Sequence, residues 1–315
     1  MSQSHTHDQT RAHSHPQGHD HAHTHAHDHA HAPSAGQQTA RHVTQTVRGM
    51  QASDGDGVKM LRVIGQPQLQ NLDPFLMLDA FGSDSASDYI GGFPNHPHRG
   101  FETVTYMLAG RMQHKDNQGN SGDLGPGSVQ WMTAGRGLIH SEMPLQESGR
   151  MAGFQLWVNL PAKDKMCAPR YQDIPAEQVP VVNGDNGSVV KVLAGTYAGV
   201  AGPINGIATE PSYLDVSLPA GKDFEFTVPA GHAVFAYVFE GEVVFGDDET
   251  MVKQSHLVVL SEGTLVKAHT HDEAGRFILL AGKPLKEPIV QHGPFVMNTA
   301  DEIRQAIQDY QAGKF

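Results

Sequence analysis

A single cysteine, Cys167, in 315 residues leaves no material for a disulfide scaffold and excludes every cysteine-rich zinc module. Positive charge is also scarce. Lys and Arg number 22 against 34 Asp and Glu, a formal net charge of −12, and an acidic chain repels phosphate backbones. Direct nucleic-acid contact is therefore not expected. Long apolar runs are missing as well: none approaches the roughly 18 residues that a membrane span requires, so no membrane role is expected. Nor does the N-terminal stretch pair a basic start with an apolar middle, which makes the cytoplasm the expected location.

Histidine, by contrast, is abundant. Eleven of the 21 lie between His5 and His31, in a segment with almost no apolar residue beyond Ala. Such a segment cannot bury enough surface to offset chain entropy, and residues 1–40 read as a disordered extension. Closely spaced imidazoles there can take up additional divalent metals with interchangeable ligand sets. A metal buffer or loading arm and a solvated polar extension are both consistent with that composition.

From about Arg41 the composition becomes that of an all-β protein. Runs such as Val104-Thr105-Tyr106-Met107-Leu108 and Val234-Phe235-Ala236-Tyr237-Val238-Phe239 are rich in β-branched and aromatic residues. Gly, Pro, Asn and Asp separate them at short intervals, as in a barrel or sandwich. Helical periodicity is convincing only over Asn298–Tyr310, where Asn298 or Thr299 can cap and Ile303, Ala306, Ile307 and Tyr310 form one stripe. The body also resembles itself. The segment Val104 to Gly110 reads like Phe235 to Gly241, and Ser128 to Gly135 reads like His256 to Gly263. Two barrels of one design are the expectation. Prolines 161, 169, 175 and 180 mark the junction, with residues 41–168 as the first barrel, 169–182 as a linker, and 183–315 as the second barrel plus the terminal helix.

The chemistry concentrates in the first copy. His96-Pro97-His98 puts two imidazoles at i and i+2, which in an extended chain aims both at one face, about 6.6 Å apart along the strand. Forty residues on, His140-Ser141-Glu142 repeats the spacing with an imidazole and a carboxylate. Two such strands meeting inside a barrel offer three nitrogens and one oxygen to a single metal. Without a cation, burying His96, His98, His140 and Glu142 together would cost several kcal/mol, about the penalty of unpaired buried charge. If the same alternation continues, Glu102, Val104, Tyr106 and Leu108 share the inward face, unless Gly100 inserts a bulge. Glu102 then supports the ligands from behind, or alternatively pairs with Arg99 or Arg111 at the rim.

The stretches Phe93 to Tyr106 and Gly127 to Glu142, with Pro169 to Asp173 and Gln291 to Thr299, closely resemble the pirin family. The resemblance covers nearly everything from residue 42 onward and omits the histidine-rich extension. It implies two tandem cupin (jelly-roll) β-barrels with a short C-terminal helix, and one mononuclear Fe(II) per chain on His96, His98, His140 and Glu142. Ni, Cu or Zn could substitute, since a histidine-rich site selects among them largely by availability. The resemblance further implies quercetin 2,3-dioxygenase activity in several members, and in others a redox-sensing co-regulator acting through a protein partner. On the first reading a flavonol-like small molecule and O2 are the substrates. Glu142 takes the proton of the flavonol 3-hydroxyl, the central ring opens and carbon monoxide leaves. Phe93, Trp131, Met132 and Leu138 are candidates to line the cleft, although barrel core is an alternative for each.

In the second copy, the Gly110–Gly241 offset sets Thr227 and Pro229 at the places of His96 and His98, so that half of the ligand set is lost. His269-Thr270-His271 with Asp272 and Glu273 reads as a polar hairpin tip rather than a second centre. His232, His256 and His292 read as turn or core residues. Storage of metal by the extension is a third reading of the function. A monomer is expected, because two paired barrels already cover one another.

Overall fold

A computed structural model describes residues 38–315, so the expectations for the histidine-rich extension, apart from its last three residues, lie outside the described part. The strands of the first half are β1 (Val43–Arg48), β2 (Met50–Asp54), β3 (Val58–Ile64), β4 (Phe75–Ser83), β5 (Phe93–His98) and β6 (Phe101–Ala109). There follow β7 (Met112–Asp116), β8 (Ser121–Leu124), β9 (Val129–Thr133), β10 (Leu138–Pro144), β11 (Met151–Asn159) and β12 (Arg170–Ile174). The second half holds β13 (Val181–Asn183), β14 (Val189–Ala194), β15 (Thr196–Tyr197), β16 (Val200–Ala201), β17 (Ser212–Leu218), β18 (Asp223–Thr227) and β19 (Ala233–Glu240). It continues with β20 (Glu242–Phe245), β21 (Thr250–Lys253), β22 (His256–Leu260), β23 (Leu265–His269), β24 (Gly275–Gly282), β25 (Val290–His292), β26 (Phe295–Met297) and the helix α1 (Ala300–Gln311).

These strands form two copies of one plan. A seven-stranded sheet in the order β12-β9-β6-β11-β4-β3-β2 faces a four-stranded sheet β5-β10-β7-β8. The second copy repeats this as β1-β22-β19-β24-β17-β14-β13 facing β18-β23-β20-β21. The repeat legible in the sequence is thus a repeat of topology, with β6 and β19, and β9 and β22, in equivalent places.

The large sheets carry apolar residues on both faces, because each covers its own barrel on one side and the other barrel on the reverse. Val104, Tyr106, Phe154 and Leu156 of the first meet Tyr213, Phe235, Tyr237 and Ile278 of the second in one shared core. A separate core fills the second barrel with Val192, Leu214, Phe224, Phe226, Val266 and Leu279, among others.

The boundaries differ from those expected at 41–168, 169–182 and 183–315. β1 pairs with β22 and so belongs to the second barrel's sheet. Half of the expected linker is strand: β12 lies along β9 and β13 along β14. Pro169, Pro175 and Pro180 fall just outside these edge strands, where a missing N–H removes no ladder bond.

The terminal helix returns to the first barrel. Thr299 and Glu302 form a reciprocal capping box at its start. Ile303 and Ala306 are buried as the stripe requires, but Tyr310 is 40% exposed and Asp309 takes the buried place. The Asp309 carboxylate accepts from Arg99 Nη1 at 2.9 Å, and the Arg99 guanidinium lies 4.4 Å from the Phe315 ring centroid. Lys165 Nζ, buried in the first barrel, donates to the carbonyls of Gly100 (2.7 Å) and Val296 (3.0 Å) and so ties β26 down. No helix among the described residues is long and apolar enough to cross a membrane.

Candidate metal centre

β5 and β10 are antiparallel neighbours, and their register sets His96 directly opposite His140 and His98 opposite Leu138. The alternation that aims His96 and His98 at one face therefore brings a third ring between them. Ring centroids are 4.7 Å apart for His96 and His98, 4.4 Å for His96 and His140, and 5.0 Å for His98 and His140. One nitrogen from each of the three lies within 4.8 Å of the others.

His140 is fully buried and His98 nearly so. Burial, and then the neighbouring His140 and His96, push the pKa of His98 well below the ordinary histidine value. Burial, followed by His96 and His114, does the same for His140. Both rings are thus neutral at physiological pH, the form that binds metal. The His96 Nδ1 bonds the Pro94 carbonyl at 2.8 Å, which as Nδ1–H···O leaves Nε2 as the atom with a lone pair to offer. Buried in the same group, His98 Nδ1 and both nitrogens of His140 have no hydrogen-bond partner in the protein. An unpartnered buried polar atom costs about 1–3 kcal/mol, and a cation accepted by these lone pairs removes part of that cost. The donor set fits a divalent transition metal.

Glu142 stands beside the three rings rather than within their group. It is 2% exposed and its two oxygens are held separately. Oε1 accepts from Thr105 Oγ1 at 2.9 Å and Oε2 from Gln155 Nε2 at 3.0 Å. Each oxygen keeps a lone pair to turn toward the cleft.

That geometry overturns the expected strand parity. Thr105, not Glu102, faces the site, while Val104 and Tyr106 point into the core between the barrels. The switch is made at Gly100, whose φ of +88° belongs to the left-handed region and where a Cβ would stand 2.0 Å from the Val296 carbonyl oxygen. One such residue resets the alternation of everything after it. Glu102 is buried against Thr133, whose hydroxyl donates to it at 2.7 Å, and pairs with neither Arg99 nor Arg111. Burial raises its pKa to about 7.

A cavity of about 420 Å³ opens onto His96, His98 and Glu142. Phe93 lines it as expected. Trp131 belongs instead to the core between the barrels, and Met132 and Leu138 pack with Ala134 against Tyr171. The cleft's tryptophan is Trp157, accompanied by Met60, Met77, Phe81, Arg62 and Asp79. Arg62 binds Asp79 through both Nε (2.9 Å) and Nη2 (2.8 Å). Thr105, Gln155, Trp157, Arg62 and Asp79 escape motif reading because they are spread over four strands, β6, β11, β3 and β4, far apart in the chain. Continuing the alternation from Gly100 in the shifted parity would have found Thr105.

Comparison with known proteins follows the same lines. The profile of the Pirin family matches residues 57–158, and that of the Pirin C-terminal cupin domain matches residues 213–315. A pirin-like protein of Caulobacter vibrioides is 52% identical over 276 residues, covering 87% of this chain and 99% of its own. The crystal structure of a quercetin 2,3-dioxygenase from Acinetobacter baumannii superposes with a TM-score of 0.82 at 36% identity, covering 88% of this chain and 99% of that one. The bacterial pirin YhhW of Escherichia coli, in complex with nickel(II), shares the fold with a TM-score of 0.61 at 19% identity, over 76% of this chain and 98% of its own.

Proposed function

This chain belongs to the pirin family, and from that premise we propose that it is a flavonol 2,3-dioxygenase with one Fe(II) per chain held by His96, His98, His140 and Glu142. The observation that carries this reading is three clustered imidazoles, two of them with unpartnered nitrogens, at the inner end of a cleft of small-molecule size. Ferrous iron there supplies O2 activation and the Lewis acidity that lowers the pKa of a bound hydroxyl.

The remaining work falls to the chain's own residues. Glu142 accepts the proton of the flavonol 3-hydroxyl on whichever oxygen faces the cleft, and Thr105 and Gln155 keep that carboxylate from swinging away. Phe93, Phe81 and Trp157, with Met60 and Met77, offer apolar surface for flat aromatic rings and exclude water from the reacting face. Arg62, fixed by Asp79, presents N–H donors toward the polar substituents of the substrate. In the net reaction one flavonol and one O2 become one ring-opened ester and one carbon monoxide, with no external reductant.

Iron-loaded protein should bleach quercetin in air and release carbon monoxide in equal amount, and Glu142→Ala should abolish both while retaining bound metal. A fully iron-loaded protein that leaves quercetin unchanged would refute the dioxygenase reading. Binding of a protein partner that differs between ferrous and ferric forms would then favour the co-regulator.

A further inference from the structure

We propose that Glu249, His269 and His271 form a second divalent-cation site, on the rim of the second barrel, suited to a borderline transition ion such as Zn(II). It is separate from the centre in the first barrel and stands whether or not that centre turns over a flavonol.

His269 ends β23, and His271 follows at i+2. Thr270 between them is 3% exposed, turned inward to donate its hydroxyl to the Pro219 carbonyl. Alternation then puts both imidazoles on the outer side. The rings lie nearly parallel, 16° between planes and 5.1 Å between centroids. Their Nε2 atoms approach to 3.2 Å, and Glu249 Oε2 stands 3.3 Å from Nε2 of His269. A tetrahedral ion with bonds of about 2.0–2.1 Å separates its donor atoms by about 3.3 Å, so the two distances from His269 already match the spacing of ligands. All three lie within 4.8 Å of one another.

The scaffold holds this arrangement from below. Gly221 N–H donates to the His271 carbonyl at 2.6 Å, and Thr270 N–H to that of Lys222 at 3.1 Å. The electrostatic setting favours a cation. Glu242, Asp272 and Glu273 border the hollow beside His271. The ammonium of Lys267, on the same strand face as His269, is neutralised by Asp247 at 2.9 Å. Two imidazoles select against Mg²⁺ and Ca²⁺, which require oxygen ligands. Water completes the fourth position. Because Glu249 lies between β20 and β21 while the histidines sit at the end of β23, a bound ion would clamp that hairpin to the neighbouring strand. The reading of this segment as a mere polar tip changes accordingly, and its carboxylate ligand is Glu249 rather than Asp272 or Glu273.

Crystals of the full chain soaked in zinc chloride, measured on both sides of the zinc absorption edge, should show an anomalous peak bonded to His269, His271 and Glu249. In solution, titration with zinc should count one more equivalent per chain for the native protein than for the H269A/H271A variant. Ions bound elsewhere on the chain, including the N-terminal histidines and the first-barrel centre, cancel in that difference. Equal stoichiometry, or no peak at the three side chains, overturns the proposal, and neither result bears on quercetin turnover.

Discussion

The two barrels share a topology and differ in what fills them. Strand pairing makes the comparison residue by residue. Glu142 lies opposite His114 and Ala268 opposite Phe245, at equivalent points of β10–β7 and β23–β20. Stepping back along both strands matches His140 with Val266, and crossing to β5 and β18 matches His96 with Phe226 and His98 with Val228. Thr105 corresponds to Ala236, Gln155 to Leu279, Asp79 to Leu214 and Arg62 to Val192. Every one of the second-barrel counterparts belongs to its closed apolar core. The first barrel is open and polar where the second is packed hydrocarbon. A fold that buries the same number of strands can therefore afford a cleft in one half because the other half, and the shared core between them, supply the stability.

The sharpest way to break this contrast is to remove a proposed ligand from the polar side. His140→Ala should lower bound metal and quercetin turnover by at least about 100-fold, more than loss of a supporting hydrogen bond costs, while circular dichroism stays native. Metal content retained at one per chain would show that the centre lies elsewhere. On the packed side, Phe226→Ala should destabilise the protein by about 3–5 kcal/mol, through the cavity left in the second core, without changing the metal content of the first barrel. Chemical denaturation measures the former and metal analysis the latter.

Glu102 tests the contrast through pH. It matches Ala233 by the same pairing, and its folded pKa of about 7 stands above the ordinary value of 4.5. A carboxyl raised on folding stabilises the protein below pH 4.5 and loses that contribution as pH climbs through 7. Glu102→Gln should accordingly gain on the order of 3 kcal/mol over the native protein at pH 8 and nothing at pH 4, read from denaturant midpoints. A constant difference across that window would contradict the burial of the charge. The smallest expected effect is that of Gln155→Leu, which imports the second barrel's residue. It leaves Glu142 one hydrogen bond short and should reduce activity by about 10- to 100-fold, with iron still bound and stability unchanged.

Motifs that act through spacing were legible without coordinates. His96-Pro97-His98 and His140-Ser141-Glu142 depend only on the two-residue period of a strand, and the structure brings the three histidines together with Glu142 beside them. Register was less accessible. A linear offset sets Thr227 and Pro229 against His96 and His98, whereas the sheets match Phe226 and Val228, one residue earlier. That single step decides whether the second barrel's counterparts point inward. Parity after Gly100 failed for a related reason: one residue at positive φ reverses the facing of a whole strand.

By itself, the amino-acid sequence determined the all-β class, the internal repeat, the capped terminal helix and the i, i+2 pairing of His96 with His98 and of His140 with Glu142, since each rests on local period or local chemistry. Only the tertiary structure decided that β1 crosses to the second barrel, that the last helix closes on the first, and that Trp157, Gln155 and Arg62 share one cleft. It alone also set Glu249 beside His269. These are contacts between residues far apart in the chain, fixed by which sheet faces which, and no periodicity along a strand records them.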